Sequence, residues 1–251
     1  MNKLIGLLLG LLCLPLQAQA ASRIRVVAAD EAPYQYQSPT GPAGVSYDIL
    51  QDIYLALGQK IKVEFMPWAR AYHFALTQKN TLLMSVHRMP ERETLFEWSP
   101  ALFSVVIYLY KARSRQDVHL SNLSQLNQYR LGVIKNDSRS LYLESLGFTH
   151  GRYLPNNQVI YQMALKGRID IFPEVPAVMA FTTRQHNMQA QDFVPVMELT
   201  GMRGQLHFVF SKGSDHKQMN AINQAILQLQ LNPGYVKRLH AYSLHAPQSS
   251  H

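Results

Sequence analysis

Two arginines, Arg88 and Arg92, bracket a Met-Pro-Glu step in the segment SVHRMPERETLFEWSP (85–100). A guanidinium is a rigid fork of donors that matches the two oxygens of a carboxylate, so one of them could hold an anion; the competing role is a solvated surface charge. Pro90 suits the first turn of a helix, and a strand ending near Val86 would aim that turn off the end of a sheet. Other chemistry is not obvious. The ten histidines never fall at His-x-His, His-x-x-x-His or His-Glu-x-x-His spacing, so no metal site is expected. There is no Gly-x-Ser-x-Gly elbow and no phosphate loop, and no cofactor is expected. The one cysteine, Cys13, lies in the N-terminal leader, so thiol catalysis is excluded.

That leader is a short basic start, Met1-Asn2-Lys3, followed by Leu4 to Leu16 with no charged, amide or hydroxyl side chain, then Ala18-Gln19-Ala20. The pattern predicts a secretory signal peptide over residues 1–20, too short to span a membrane and cleaved after Ala20. Leu12 stands before Cys13 where a lipobox needs a small residue, so no lipid anchor is expected. Cleavage removes Lys3 alone among charged residues and lowers the formal net charge from +8 to +7. The remaining chain, about 230 residues without cysteine, must be held by its core alone, as one large domain or two modest ones. No second apolar run approaches a membrane span, which points to a soluble periplasmic monomer. The basic residues are scattered and form no nucleic-acid module, so no nucleic-acid partner is expected.

The elements that would position a site alternate. Arg23 to Ala28 reads as a strand, a loop rich in Pro and Gly follows, and SYDILQDIYLALG reads as a helix stopped by Gly58. Lys60 to Phe65, Trp68 to Gln78 and Thr81 to Val86 read as strand, helix and strand, which implies a parallel α/β unit. An extended run, Ser104 to Ala112, leaves this unit. A second alternation follows: strand Arg130 to Ile134, helix Asp137 to Leu146, helix Val159 to Lys166, strand Ile169 to Phe172. Gln205 to Phe210 is a second extended run. Asp215 to Gln230 is an amphipathic helix with Met219, Ile222, Ile226 and Leu229 on one stripe, and a short last helix follows Asn232-Pro233-Gly234. The expected architecture is two α/β lobes, residues 21–108 with 208–251 and residues 109–207, joined by two strands that form a hinge over a cleft.

Four segments carry a resemblance: GVSYDIL, MPERETLFEWSPALF, ALKGRIDIFPEVP and HFVFSKGSDHKQMNAINQAILQLQLNPGYVKRL. In this order and spacing the chain resembles the periplasmic solute-binding proteins of polar amino-acid uptake, bacterial extracellular family 3. The resemblance covers nearly all of the mature chain and implies a type II periplasmic-binding-protein fold. It implies capture of a small carboxylate-bearing ligand, an amino acid or a related compound, by hinge closure, for delivery to an inner-membrane ABC permease. Two alternatives share the fold: an exported enzyme of the cyclohexadienyl dehydratase kind, with Asp30, Glu31 and Glu174 as a conceivable acid–base set, and a sensor that reports its ligand to a membrane receptor.

The resemblance also assigns residues. Arg92 matches the arginine that holds the ligand carboxylate; Met89 stands where the family has Thr, and His87 and Arg88 precede it, which implies an altered pocket. Arg88 is either a second anion contact or exposed. At the helix start near Asp137, Ser138 is the expected ligand contact, and Asp137 an N-cap. Glu174 is the acid nearest to the family's partner for an ammonium group, with a surface role as the alternative, and Asp170 would brace the strand. Tyr34 and Trp68 would line the cleft or pack in the core, Arg70 could reach the cleft, and Asp30 would meet a polar ligand tail.

Overall fold

The computed structural model describes residues 24–242 and 244. The predicted signal peptide, its cleavage site and the C-terminal tail lie outside the described residues. Nineteen strands and helices follow one another in this order: β1 (Arg25–Ala28), β2 (Tyr36–Ser38), β3 (Gly41–Ala43), α1 (Val45–Ala56), β4 (Val63–Phe65), α2 (Trp68–Thr77), β5 (Thr81–His87), β6 (Phe96–Val105), β7 (Tyr108–Ala112), β8 (Gly132–Val133), α3 (Ser138–Ser145), β9 (Arg152–Tyr153), α4 (Asn157–Leu165), β10 (Phe172–Glu174), α5 (Pro176–Gln185), β11 (Phe193–Glu198), β12 (Gly204–Ser211), α6 (His216–Gln230) and α7 (Pro233–Ala241). No described helix is long and apolar enough to cross a membrane.

The larger sheet has the order β4-β1-β5-β12-β6. β1 runs parallel to β4 and β5, as the strand–helix–strand alternation predicts, and β12 runs antiparallel to β5 and β6. Successive side chains of a strand point to opposite faces, and both faces here are covered. Val26 and Leu82 face α1 and α6, which present Ile49, Leu50, Ile53, Met219, Ile222 and Ile226. Val27 and Leu83 face α2, which presents Ala71 and Ala75. All seven residues of β5 are buried.

The alternation of β5 breaks at Ser85, whose φ is +54°. The pairing with β12 slips by one residue there, between His207 and Val209. Such a bulge re-aims the strand end: Val86 joins Leu83 on the α2 side, and Ser85 and His87 turn toward the gap beyond the sheet.

The second lobe is built on the antiparallel sheet β10-β7-β11 and the short pair β8-β9. Tyr110, Tyr161, Phe172 and Phe193 pack ring against ring at its centre, with centroids 5.3 to 6.1 Å apart. Asp170 accepts from the Arg130 backbone N–H (2.8 Å) and from the Arg130 and Arg115 guanidinium groups, so it braces the approach to β8. The chain passes between the two sheets twice, from β6 to β7 and from β11 to β12. The two passages touch, with the Leu199 N–H donating to the Ile107 carbonyl at 2.9 Å.

Sequence periodicity predicts the helices to within a residue or two, because their stripes and glycine stops are local. β11 and α5 carry no such stripe and were not expected. α5 has one apolar side in Val178 and Met179 but Thr182, Thr183, Arg184 and Gln185 fill its second half.

Candidate functional site

A cavity of about 700 Å³ opens between the two lobes. Asp30, Tyr34, Trp68, His87 and Arg92 from the first lobe and Ser138 from the second all line it, as does the pair Glu31 and Arg139. The loop after β1 carries Asp30, Glu31 and Tyr34. That loop is pinned to the start of α1, whose first N–H groups donate to the carbonyls of Pro33 (3.0 Å) and Tyr34 (2.7 Å). Gly44 lies between them at φ +112°, and a Cβ there would sit 2.5 Å from the Tyr34 carbonyl oxygen. This is the physical reason for the glycine of GVSYDIL.

Arg92 ends the 3-10 turn Pro90–Arg92, with Pro90 at its first position. Its side chain is 2 % exposed. Nη1 donates to the His87 carbonyl at 3.4 Å and Nη2 to the Asn136 carbonyl across the gap at 3.2 Å. The guanidinium lies 5.5 Å from the ring centroid of Trp68 and 5.2 Å from that of Tyr72. Nε has no hydrogen-bond partner, and among the described residues no carboxylate pairs with this group. Burial pulls its pKa down from the usual guanidinium value. Arg88, in contrast, is an exposed charge. It forms a double hydrogen bond to Glu93 and covers Trp98 at 5.3 Å.

Beside Arg92, His87 is 8 % exposed with neither ring nitrogen hydrogen-bonded. Burial, reinforced by the Arg92 charge, pushes its pKa down to about 4, so it is neutral. Tyr34 is 3 % exposed, packs on Phe103 at 5.4 Å and has an unpartnered hydroxyl. The Trp68 indole N–H donates across the gap to the Asn136 carbonyl at 3.0 Å. That oxygen therefore receives two first-lobe donors, and Asn136 offers it from a left-handed backbone at φ +59°.

On the second lobe Asp137 caps α3, accepting from the Arg139 N–H at 2.8 Å. Arg139, 6 % exposed, bends back over this cap. Nε reaches Asp137 Oδ1 at 2.7 Å, Nη2 reaches Asp137 Oδ2 at 3.1 Å, and Nη1 donates to Glu174 Oε1. Its Nη2 also lies 3.6 Å from Glu31 Oε1 on the facing lobe. Burial alone would lower its pKa, but Asp137 and Glu174 more than offset that and raise it well above normal. Glu31 pairs only loosely, and burial pushes its pKa up to about 7. Asp30, at the exposed rim, is raised by burial and lowered by the Gln37 N–H.

Two expected positions are corrected. Arg70 lies outside the cavity: two residues beyond Trp68 on a helix is a turn of about 200°, and its guanidinium is exposed near Phe74, 5.7 Å from the ring. Glu174 does not line the cavity. It is fully buried behind Arg139, accepting also from the Tyr161 hydroxyl at 2.6 Å and the Val175 N–H at 2.8 Å. Asp30, Glu31 and Glu174 therefore do not assemble as one acid–base set. Sequence reasoning missed Arg139. A signal for Arg139 existed: a cation in the first turn of a helix opposes the helix dipole, so its burial there demands carboxylates.

The chain matches the family described as bacterial extracellular solute-binding proteins, family 3, over residues 24–244. Among solved structures it is similar to a histidine kinase sensor domain with similarity to periplasmic binding proteins (15 % identity, 90 % of this chain and 99 % of that one, TM-score 0.80). It is similar also to the arginine-, lysine-, histidine-binding protein ArtJ of Geobacillus stearothermophilus (15 % identity, 88 % and 95 %, TM-score 0.74). A third is the ancestral amino acid-binding protein AncCDT-1, a precursor of cyclohexadienyl dehydratase (18 % identity, 87 % and 94 %, TM-score 0.69). At these identities the likeness is one of fold. No curated protein matches the sequence.

Proposed function

The chain belongs to the bacterial extracellular solute-binding proteins, family 3, and from that premise we propose that it captures a small carboxylate-bearing solute in the gap between its lobes. The observation that carries this reading is Arg92: a guanidinium 2 % exposed, lining the cavity, with Nε unpartnered and, among the described residues, no carboxylate in direct contact with it. A lone buried charge is costly, and an incoming carboxylate would relieve that cost. The solute docks first on Arg92, between the faces of Trp68 and Tyr34. The second lobe, residues 109–207, then closes on the first, residues 21–108 with 208–251, and brings up Ser138 at the start of α3. Closure removes water and strengthens the charge interaction, and the solute shifts the balance of open and closed forms only by its preference for the closed one. The protein is exported after loss of residues 1–20 and works in the periplasm, and the closed form delivers its solute to an inner-membrane ABC permease.

Isothermal calorimetry tests the reading with a panel of small carboxylates identified by a rise in melting temperature. Arg92→Ala should weaken the best binder by about 3–5 kcal/mol, since a buried carboxylate loses its partner. Near-normal affinity in that variant would remove Arg92 from the site.

A further inference from the structure

A ligand ammonium buried in this cavity would need an ionised carboxylate whose charge is not already matched. The second lobe has one carboxylate at the cavity wall, Asp137, and one buried behind it, Glu174, and both are taken. Asp137 is held by two nitrogens of Arg139 and by its backbone N–H. Glu174 is held by Arg139, Tyr161 and Val175, and it is sealed off behind Arg139. The protein's own guanidinium occupies the place a ligand cation would require.

The first lobe does not make good the loss. Asp30 stands at the exposed rim of the cavity, where water screens it. Glu31 already leans on Arg139 at 3.6 Å. Burial keeps a large share of it protonated at neutral pH, in which form it donates a hydrogen bond.

The unmatched polar atoms of the cavity point the same way. Arg92 Nε and the Tyr34 hydroxyl are both buried, both lack partners and both can donate, and the neutral, likewise unpartnered His87 adds one donor and one acceptor nitrogen. Ser138 adds a hydroxyl at the start of α3. This is a lining rich in unused donors and poor in free negative charge. It suits a carboxylate with an uncharged oxygen next to it.

We infer that the cleft selects 2-oxo or 2-hydroxy acids and rejects the corresponding 2-amino acids, with Arg139 as the group that excludes the ammonium. The inference rests on the carboxylate reading given above and narrows it.

The test is a matched series at pH 7.5: alanine, leucine, phenylalanine and glutamate, each beside its 2-oxo and 2-hydroxy counterpart, measured by calorimetry on the mature protein. The oxo or hydroxy acid of the best-binding skeleton should bind at least tenfold more tightly than the amino acid. In Arg139→Ala, Asp137 and Glu174 are released, and the preference should swing at least tenfold toward the amino acid. If that variant does not fold, the wild-type series still decides. A wild-type protein that binds the amino acid as tightly as its oxo counterpart, and loses it in Arg92→Ala, overturns the selection rule and leaves the carboxylate reading standing. No binding by any acid of the series overturns the carboxylate reading itself, and the rule with it.

Discussion

Arg92 and its neighbours form a cluster in which two weakly solvated groups titrate in opposite senses. Glu31 has its pKa raised to about 7, above the unfolded value, so the native state binds the extra proton. Its contribution to stability is present below the unfolded pKa and is lost as pH rises toward 7. His87 has its pKa lowered to about 4, so the unfolded state binds the extra proton, and stability is lost as pH falls from about 6.5 toward 4. Over the shared window the two nearly cancel in the wild type. Glu31→Gln should therefore gain stability relative to wild type by about 2 kcal/mol between pH 4.5 and 7, and His87→Gln should show its advantage at pH 4.5 and lose it by pH 6.5. Urea unfolding across that range reads both. Parallel curves for wild type and either variant would mean that the group in question titrates normally.

Elements set the site through two short devices. The first is the loop after β1, tied to α1 through the carbonyls of Pro33 and Tyr34. Gly44→Ala places a methyl 2.5 Å from the Tyr34 oxygen and asks an L-residue to hold φ +112°. The expected cost is about 2–4 kcal/mol of stability in thermal or urea unfolding, with weaker solute binding because Tyr34 moves. The second device is the bulge at Ser85, which turns His87 into the gap. Of these, the glycine was visible in GVSYDIL, because a helix start after a Pro/Gly loop is a local pattern. The bulge was not: it arises from the register of β5 against β12, residues more than a hundred positions away. The same division holds within the site. Tyr34 and Trp68 were named from their loop and strand-end places and Arg92 through the family resemblance, and all three line the cavity. The capture of Glu174 by Arg139 was not, because 35 residues separate them and only the tertiary fold brings them together. Arg70 misled for a related reason, since proximity in sequence on a helix does not mean a shared face.

At the scale of the whole molecule, two sheets share one continuous apolar cluster, which runs from Val26 and Leu82 to Leu131, Val133 and Ile171, and face each other across a gap bridged by a few contacts. The Asn136 carbonyl receives Trp68 and Arg92, Glu31 approaches Arg139, and the ring of Tyr36 meets that of Phe181 at 4.9 Å. A solute on Arg92 would compete with one of these contacts, the Arg92–Asn136 hydrogen bond. A carboxylate on Arg92 would take over from the Asn136 carbonyl, so the second lobe must reposition the start of α3 as the solute arrives.

The indole at this junction has an optical consequence. Trp68 and Trp98 are the two tryptophans of the chain. In Trp98→Phe, excitation of tryptophan would report from Trp68 alone, 5.5 Å from a guanidinium and hydrogen-bonded across the gap. Separation of the lobes would hand that indole N–H to water and move its emission to longer wavelength; a saturating solute would move it back. A spectrum unchanged by a solute that calorimetry shows to bind would mean that the junction stays shut throughout. The protein thus carries a built-in fluorophore at the joint, and no dye is needed to time its opening.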